Sequence, residues 1–433
     1  MDRVYDFADE LLDFVENSPS QYHVVKTLED RFRARGFQKL ELSSNWEFKS
    51  GDRCYLSVGE SMSVGFIVGS GELEECGFRV VASHTDSPGI VVKPDPEISS
   101  DGYLKLNCEL YGGPIMNTWL DRPLGLAGRV VLKGDSPMSP KTELIDFKKP
   151  VALIPNLAIH QNRKVNEGLK LSGQKDMLPF LKTVEKNFEK ESYLINQLAS
   201  ELGVDSGEIL DFELCFYEHG RGCIFGINRE FISCGKLDNL AMAHSSAEAI
   251  LDSETSFATS VFVSFNHEEI GSTTAEGAGS PALQNILERI ALGLGKQREE
   301  YLRALENSFM LSCDMVHAVH PNNTEKQDPT NRPVINGGPA VKTSARKSYT
   351  SDAETYSVYK SICDSIGVNV QRYVNHSDER GGSTIGPISS TQLAIKSVDI
   401  GNPLLAMHSI RETAGVKDHY DIYRSFVEFY KAR

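Results

Sequence analysis

The 433-residue chain is 40% hydrophobic and 24% charged, enough apolar material for at least one large core, and 60 acidic against 45 basic side chains leave a formal net charge of -15. So acidic a surface repels phosphate backbones and anionic lipid, which excludes nucleic acid and membranes as expected partners. No uncharged apolar run approaches the roughly 18 to 20 residues needed to cross a bilayer.

Residues 1–20 are acidic and read as an amphipathic helix rather than a secretory signal. The eight cysteines include no Cys-x-x-Cys pair and read as reduced thiols, so a cytoplasmic protein is expected. Apolar spacing predicts helices over 6–16 and 24–35, then short strands over 64–68 and 78–82. From about Lys93 the texture changes to strands punctuated by Pro and Gly, as in Tyr111-Gly112-Gly113-Pro114, and continues so to about Ile232. Alternation then resumes, with helices predicted over 239–251, 282–306 and 352–366 and strands over 260–265, 309–313 and 368–373. Strands separated by helices imply crossover connections. The expected fold class is therefore α/β: a domain with a mostly parallel central sheet, formed by residues 1–93 plus 233–433 and interrupted by a β-rich domain at 94–232. The polar segment 320–339 is read as a long loop of the kind that often serves function.

Five segments deliver a metal ligand or an acid at a strand end or sharp turn. In Val80-Val81-Ala82-Ser83-His84-Thr85-Asp86 an apolar strand runs into His84, and Asp86 shares its face, placed to bond the distal imidazole nitrogen and fix the tautomer. Lys236-Leu237-Asp238-Asn239 offers an acid at a helix start, which by itself reads as an N-cap. A third strand ends in His267-Glu268-Glu269, where adjacent carboxylates diverge, so one can bind metal while the other faces the attacking water. The likeness to His-Glu-x-x-His fails there, because position 271 is Gly. Met310-Leu311-Ser312-Cys313 delivers Asp314, with His317 and His320 beyond it, and Met407-His408-Ser409-Ile410-Arg411-Glu412 places a histidine near the C-terminus.

Jointly these segments supply His84, Asp238, Glu269, Asp314 and His408 as candidate ligands. A catalytic metal takes about three protein ligands and keeps one position open, so two metals need a shared donor. A carboxylate can bridge where an imidazole cannot. Asp238 is assigned that role, joining His84 and Asp314 on one ion and Glu269 and His408 on the other. Mixed imidazole and carboxylate donors suit Zn²⁺, Co²⁺ or Mn²⁺ rather than Ca²⁺ or Mg²⁺. Glu268 is left over as the general base.

The segments Ser83-His84-Thr85-Asp86-Ser87-Pro88, Leu237-Asp238-Asn239, His267-Glu268-Glu269-Ile270-Gly271-Ser272, Asp314-Met315-Val316-His317 and Met407-His408-Ser409-Ile410-Arg411-Glu412 resemble, in collinear order, the aspartyl aminopeptidase family. The resemblance runs from about Tyr22 to the C-terminal helix. It implies two zinc ions per subunit on the five ligands named, catalytic roles for Asp86 and Glu268, and substrate contacts at His317, Lys342 and Tyr349. It further implies that 94–232 is a dimerisation domain, that the subunits form a tetrahedral homododecamer built from dimers, and that His160 reaches a neighbour's active site. On that reading Lys342 places a cation where it favours Asp or Glu as the first residue, and His317 bonds the oxyanion. The turn over 381–387 could offer backbone N–H groups to substrate. Where family members commonly show an Asn-Asp pair and a cysteine, this chain has Asn375-His376-Ser377-Asp378-Glu379-Arg380, with Glu379 and Arg380 adding charge near the expected pocket rim.

The expected function is a metalloaminopeptidase that hydrolyses the N-terminal residue of peptide substrates, with acidic residues preferred. A related two-zinc aminopeptidase of neutral or broad specificity and an N-acyl amino-acid hydrolase stand as alternatives. A catalytically silent assembly protein is a third, against which Glu268 argues.

Overall fold

The computed structural model describes residues 2–433 except Lys186, Asn187, Glu189 and Arg380; the charge expected at Arg380 therefore lies outside the described residues. Among the described residues the strands form sheets of nine, six and five. In the nine-stranded sheet the strands Thr259–Phe265, Phe78–His84, Phe309–Cys313 and Lys396–Gly401 lie side by side and parallel. Antiparallel partners flank them, Met62–Ile67 on one side and Ala340–Lys342 on the other. The central strands are apolar almost throughout because both faces are covered. Val81, Phe262, Leu311 and Val398 join one core with Phe32 and Leu240, whereas Val80, Val261, Val263 and Met310 join a second with Leu283 and Ile286. Helix Leu237–Leu251, buried along its whole length, packs between strand Phe78–His84 and the C-terminal helix Val416–Lys431. No described helix is long and apolar enough to cross a membrane.

The six-stranded sheet is antiparallel throughout, runs from Gly89–Ser100 to Ile209–Glu218 and encloses its own core of Ile90, Leu106, Trp119, Leu126, Leu214 and Phe216. It begins within the loop that follows His84, so the second unit is rooted beside that histidine. Strands Cys223–Phe225 and Phe231–Cys234 pair away from this sheet, joining Glu412–Gly415, Pro403–Leu405 and Val316–His317 in the five-stranded one.

The helix expected over 282–306 is two helices, Ala282–Gly293 and Arg298–Glu306. Gly295 turns the chain with φ +78, and Glu300 accepts the Gln297 N–H at 2.7 Å to start the second helix. All eight cysteines are free thiols.

A buried histidine pair locks the N-terminal helix onto this frame. His244 Nδ1 lies 3.0 Å from His419 Nε2, Ser245 Oγ lies 3.2 Å from His419 Nδ1, and Phe7 of helix Asp2–Glu16 stacks on His419 at 4.8 Å. Burial holds both imidazoles below their ordinary range, His419 at about 3. The unfolded chain protonates at about 6.5, so this packing contributes fully above that pH and is lost as pH falls from 6.5 towards 3. Thermal melts between pH 7 and 4 are expected to show a falling Tm in the wild-type protein and a flatter profile in the His244→Gln, His419→Gln double variant. Parallel profiles would remove the pair from the acid response.

Candidate metal centre

Three neighbouring parallel strands end at one place. His84 closes strand Phe78–His84, Glu268 and Glu269 follow Thr259–Phe265 in a single 3-10 turn, and Asp314 follows Phe309–Cys313. The carboxyl ends of parallel strands are the common location of sites in open α/β sheets. Asp238 arrives from the start of helix Leu237–Leu251. Its backbone is non-helical (φ -85°, ψ 102°) and it does not cap the helix; Lys236 occupies the N-cap position. His408 stands in a left-handed turn with φ +67°.

The Asp238 carboxylate divides between two groups. Its Oδ1 lies 3.6 Å from His84 Nε2, which is also 3.5 Å from Asp314 Oδ1. Its Oδ2 lies 3.5 Å from His408 Nε2, which is also 3.4 Å from Glu269 Oε2. His84 Nδ1 is 3.0 Å from the Asp86 backbone carbonyl and 3.3 Å from its carboxylate, so the main chain of Asp86, more than its side chain, receives the ring N–H. His408 Nδ1 lies 3.1 Å from the Gly113 carbonyl. With each Nδ1–H donated to a carbonyl, both rings turn the Nε2 lone pair inward, the tautomer a metal ligand requires. His84 Nε2 and Asp238 Oδ1 are buried without a hydrogen-bond partner. An orphaned polar atom of this kind costs about 1–3 kcal/mol, and one divalent cation among these donors satisfies both. The triads His84–Asp238–Asp314 and Asp238–Glu269–His408 each bring donor atoms within 4.8 Å of one another, so the residues fit zinc.

Electrostatics point the same way. Burial raises the pKa of Asp238, and repulsion from Asp314 adds to it. Burial likewise pushes Glu268 up to about 8 and Glu269 well above the carboxylate range, against the opposing pull of His84, with Asp238 again adding repulsion. Burial opposes protonation of His408, yet the Asp238 carboxylate carries it up to about 9. Asp314 moves the other way despite burial, because the Lys342 ammonium faces it. Excess buried negative charge is the condition that divalent cations relieve.

A family profile described as Aminopeptidase I zinc metalloprotease (M18) matches residues 14–430. The chain belongs to the M18 zinc metalloproteases. It is 52% identical over 425 residues to a probable M18 family aminopeptidase 2 of Clostridium novyi (strain NT), covering 98% of each chain. A cryo-EM structure of the Ape4 and Nbr1 complex holds a chain with a TM-score of 0.95 and 32% identity, covering 99% of this chain and 86% of that one. The S. cerevisiae mApe1 dodecamer gives a TM-score of 0.86 at 27% identity, covering 98% and 96%. This M18 protein is accordingly a metalloaminopeptidase.

The remaining expected residues are distributed unevenly. Lys342 is 2% exposed and donates to Asp314 at 3.0 Å, with Tyr349 beneath it at 5.6 Å; its charge is engaged inside the site rather than free in a pocket. His317 is exposed, with its ring 6.1 Å from that of Tyr373. His160 lies on an exposed turn of the second unit and belongs to neither triad. Of the expected 381–387 turn, residues 385–387 open helix Ile385–Leu393; Thr384 stands at its N-cap position but donates its hydroxyl to Asp399 at 2.6 Å, and exposed Glu379 pairs with Lys326 at 2.7 Å.

Two residues to which sequence reasoning gave no role stand at the centre. Tyr111, from the six-stranded sheet, donates to Asp86 at 2.7 Å, and Asp86 in turn accepts the Glu268 and Glu269 N–H groups, each at 3.1 Å. Glu412 accepts the N–H groups of Asp238 and His408. Position offers a signal for both: Tyr111 precedes a Gly-Gly turn, and Glu412 closes the Met-His-Ser-Ile-Arg-Glu segment.

Chelator-treated protein is expected to gain about 4 kcal/mol when zinc is added at about a thousandfold over its Kd, read as a rise in Tm. Asp238→Asn should lose most of that rise; equal rises in both proteins would rule out Asp238 as a shared donor.

Proposed function

We propose that this aminopeptidase works with two divalent ions, zinc in the first place, held by His84, Asp238 and Asp314 and by Asp238, Glu269 and His408, with Glu268 as general base. The observation that carries the reading is the division of one carboxylate, with Asp238 Oδ1 towards His84 and Oδ2 towards His408. Zinc on such donors supplies Lewis acidity, polarising the scissile carbonyl and lowering the pKa of water. Glu268 takes the proton of the attacking water and returns it to the leaving amine. Asp86 keeps Glu268 in place through the backbone N–H. His317 donates to the oxyanion from the rim. Lys342, seated over Tyr349, is paired with Asp314, so a preference for Asp or Glu as the first residue would come from the part of its charge that this ion pair leaves unneutralised.

The functional particle in this reading is a cytoplasmic homododecamer built from dimers, with the unit at 94–232 supplying the dimer contact and His160 entering a neighbour's site. His160 sits beside Leu157 and Ile159, which are 55% and 46% exposed, apolar surface that a second subunit would cover. The dodecamer named for the S. cerevisiae protein adds support.

On a panel of aminoacyl anilides the wild-type enzyme is expected to favour Asp and Glu. Glu268→Gln should keep its metal content and lose about a hundred- to ten-thousandfold in kcat on every substrate. Unchanged turnover would overturn the role of Glu268, and equal rates on Leu and Ala would move the enzyme to the neutral-specificity reading. His160→Ala should lower activity without unfolding the subunit, and mixing it with Glu268→Gln should restore part of the lost activity, since some sites then draw each residue from a different subunit. No recovery after verified subunit exchange would confine His160 to its own chain.

A further inference from the structure

Glu412 opens strand Glu412–Gly415 and is 2% exposed. Its Oε2 accepts the Asp238 N–H at 2.9 Å and its Oε1 accepts the His408 N–H at 2.8 Å. The nearest guanidinium in sequence, Arg411, is turned away to Glu218 at 2.9 Å. The buried carboxylate is thus spent on two main-chain donors from segments distant in sequence. Those donors belong to the two residues whose side chains meet at 3.5 Å, Asp238 Oδ2 and His408 Nε2. Asp86 is built alike on the opposite side, its oxygens taking the Glu268 and Glu269 N–H groups.

We propose that Glu412 is a positioning residue for the metal centre: one carboxylate, with an oxygen on each backbone, sets the separation of Asp238 and His408 and thereby the affinity of the ion they share. The inference rests on the two-ion reading above. A carboxylate suits the task because both of its oxygens accept, and charge-assisted bonds to N–H groups are stronger than neutral ones. His408 has no regular element to hold it, since it stands in a left-handed turn, so its place depends on such anchors: Glu412 on its N–H and the Gly113 carbonyl on its ring. Glutamine in place of Glu412 would keep the shape but set an NH₂ group against one of the two N–H groups. Aspartate would be too short to reach both.

The test is zinc titration of the chelator-treated full-length enzyme, with kcat and KM measured at limiting zinc. Wild type is expected to bind two ions. Glu412→Gln should bind one as wild type does and the other about 10- to 100-fold more weakly, with kcat reduced and KM little changed at limiting zinc. Two ions in wild type with the same affinities and kcat in Glu412→Gln would overturn the proposal. Fewer than two ions in wild type would instead overturn the two-ion reading, so the two failures are distinguishable. If Glu412→Gln does not fold, the titration passes to Glu412→Asp under the same criteria. Hydrogen exchange in unsubstituted holoenzyme provides a check independent of any variant: the Asp238 and His408 amides must be strongly protected, and fast exchange at either overturns the role.

Discussion

Everything at this centre depends on holding carboxylates closer together than their charges allow. Asp238, Glu268, Glu269 and Asp314 converge with His84 and His408 where solvent screening is weak, and among the described residues Lys342 is the one ammonium bonded to them. Two unit charges about 4 Å apart interact by about 4 kcal/mol at the effective dielectric of such sites. Repulsion of that size would spread the donors if the side chains were left to themselves. It is resisted in two ways: zinc, the metal of this family, would offset the charge, and the backbone bearing Glu268, Glu269, Asp238 and His408 is tied down from behind.

The tying is done by other buried carboxylates, which accept N–H groups from the segments that deliver the donors. Asp86 holds the turn of Glu268 and Glu269, and Glu412 holds Asp238 with His408. Farther out, Asp399 accepts from Ser312, Thr350 and Thr384, joining the strand before Asp314 to the loop after Tyr349 and to the 381–387 turn. Asp418 accepts the Asn336 and Gly338 N–H groups at 2.6 and 2.7 Å, closing the end of the long loop 320–339. A carboxylate with each oxygen on a separate N–H joins segments that no ladder connects.

The second unit is part of the site and not only an appendage beside it. Its first strand begins five residues after His84, Tyr111 bonds Asp86, and the Gly113 carbonyl receives the His408 ring N–H. Gly112, with φ +65, passes so near the acids that an added Cβ would lie 3.1 Å from Glu269 Cβ. A shift of this unit against the nine-stranded sheet would therefore move His408 and Asp86 together, so the placement of the six-stranded sheet and the geometry of the ligand cluster are coupled.

Much of this was legible in the sequence, for reasons that are local. Buried parallel strands must be apolar on both faces, so the runs ending at His84, Phe265 and Cys313 announce themselves, and a polar residue just past such a run lies at a strand end whatever its neighbours. That is why His84, Glu268, Glu269 and Asp314 could be singled out, and the collinear motifs carried the family. The tertiary structure alone decided what depends on which strands are neighbours. Strand order in the main sheet does not follow the chain, so the sequence could assign Asp238 as the shared donor on chemical grounds but not set its Oδ1 towards His84 and its Oδ2 towards His408, and nothing in the run of residues says that Lys342 is sealed against Asp314, or that Cys223–Phe225 and Phe231–Cys234 leave the insertion's sheet. Tyr111 and Glu412 carry only a positional signal, because a tyrosine or glutamate reads alike in solvent and in the interior; the folded chain is what brings Tyr111 onto Asp86, 25 residues back, and Glu412 onto the Asp238 N–H, 174 residues away.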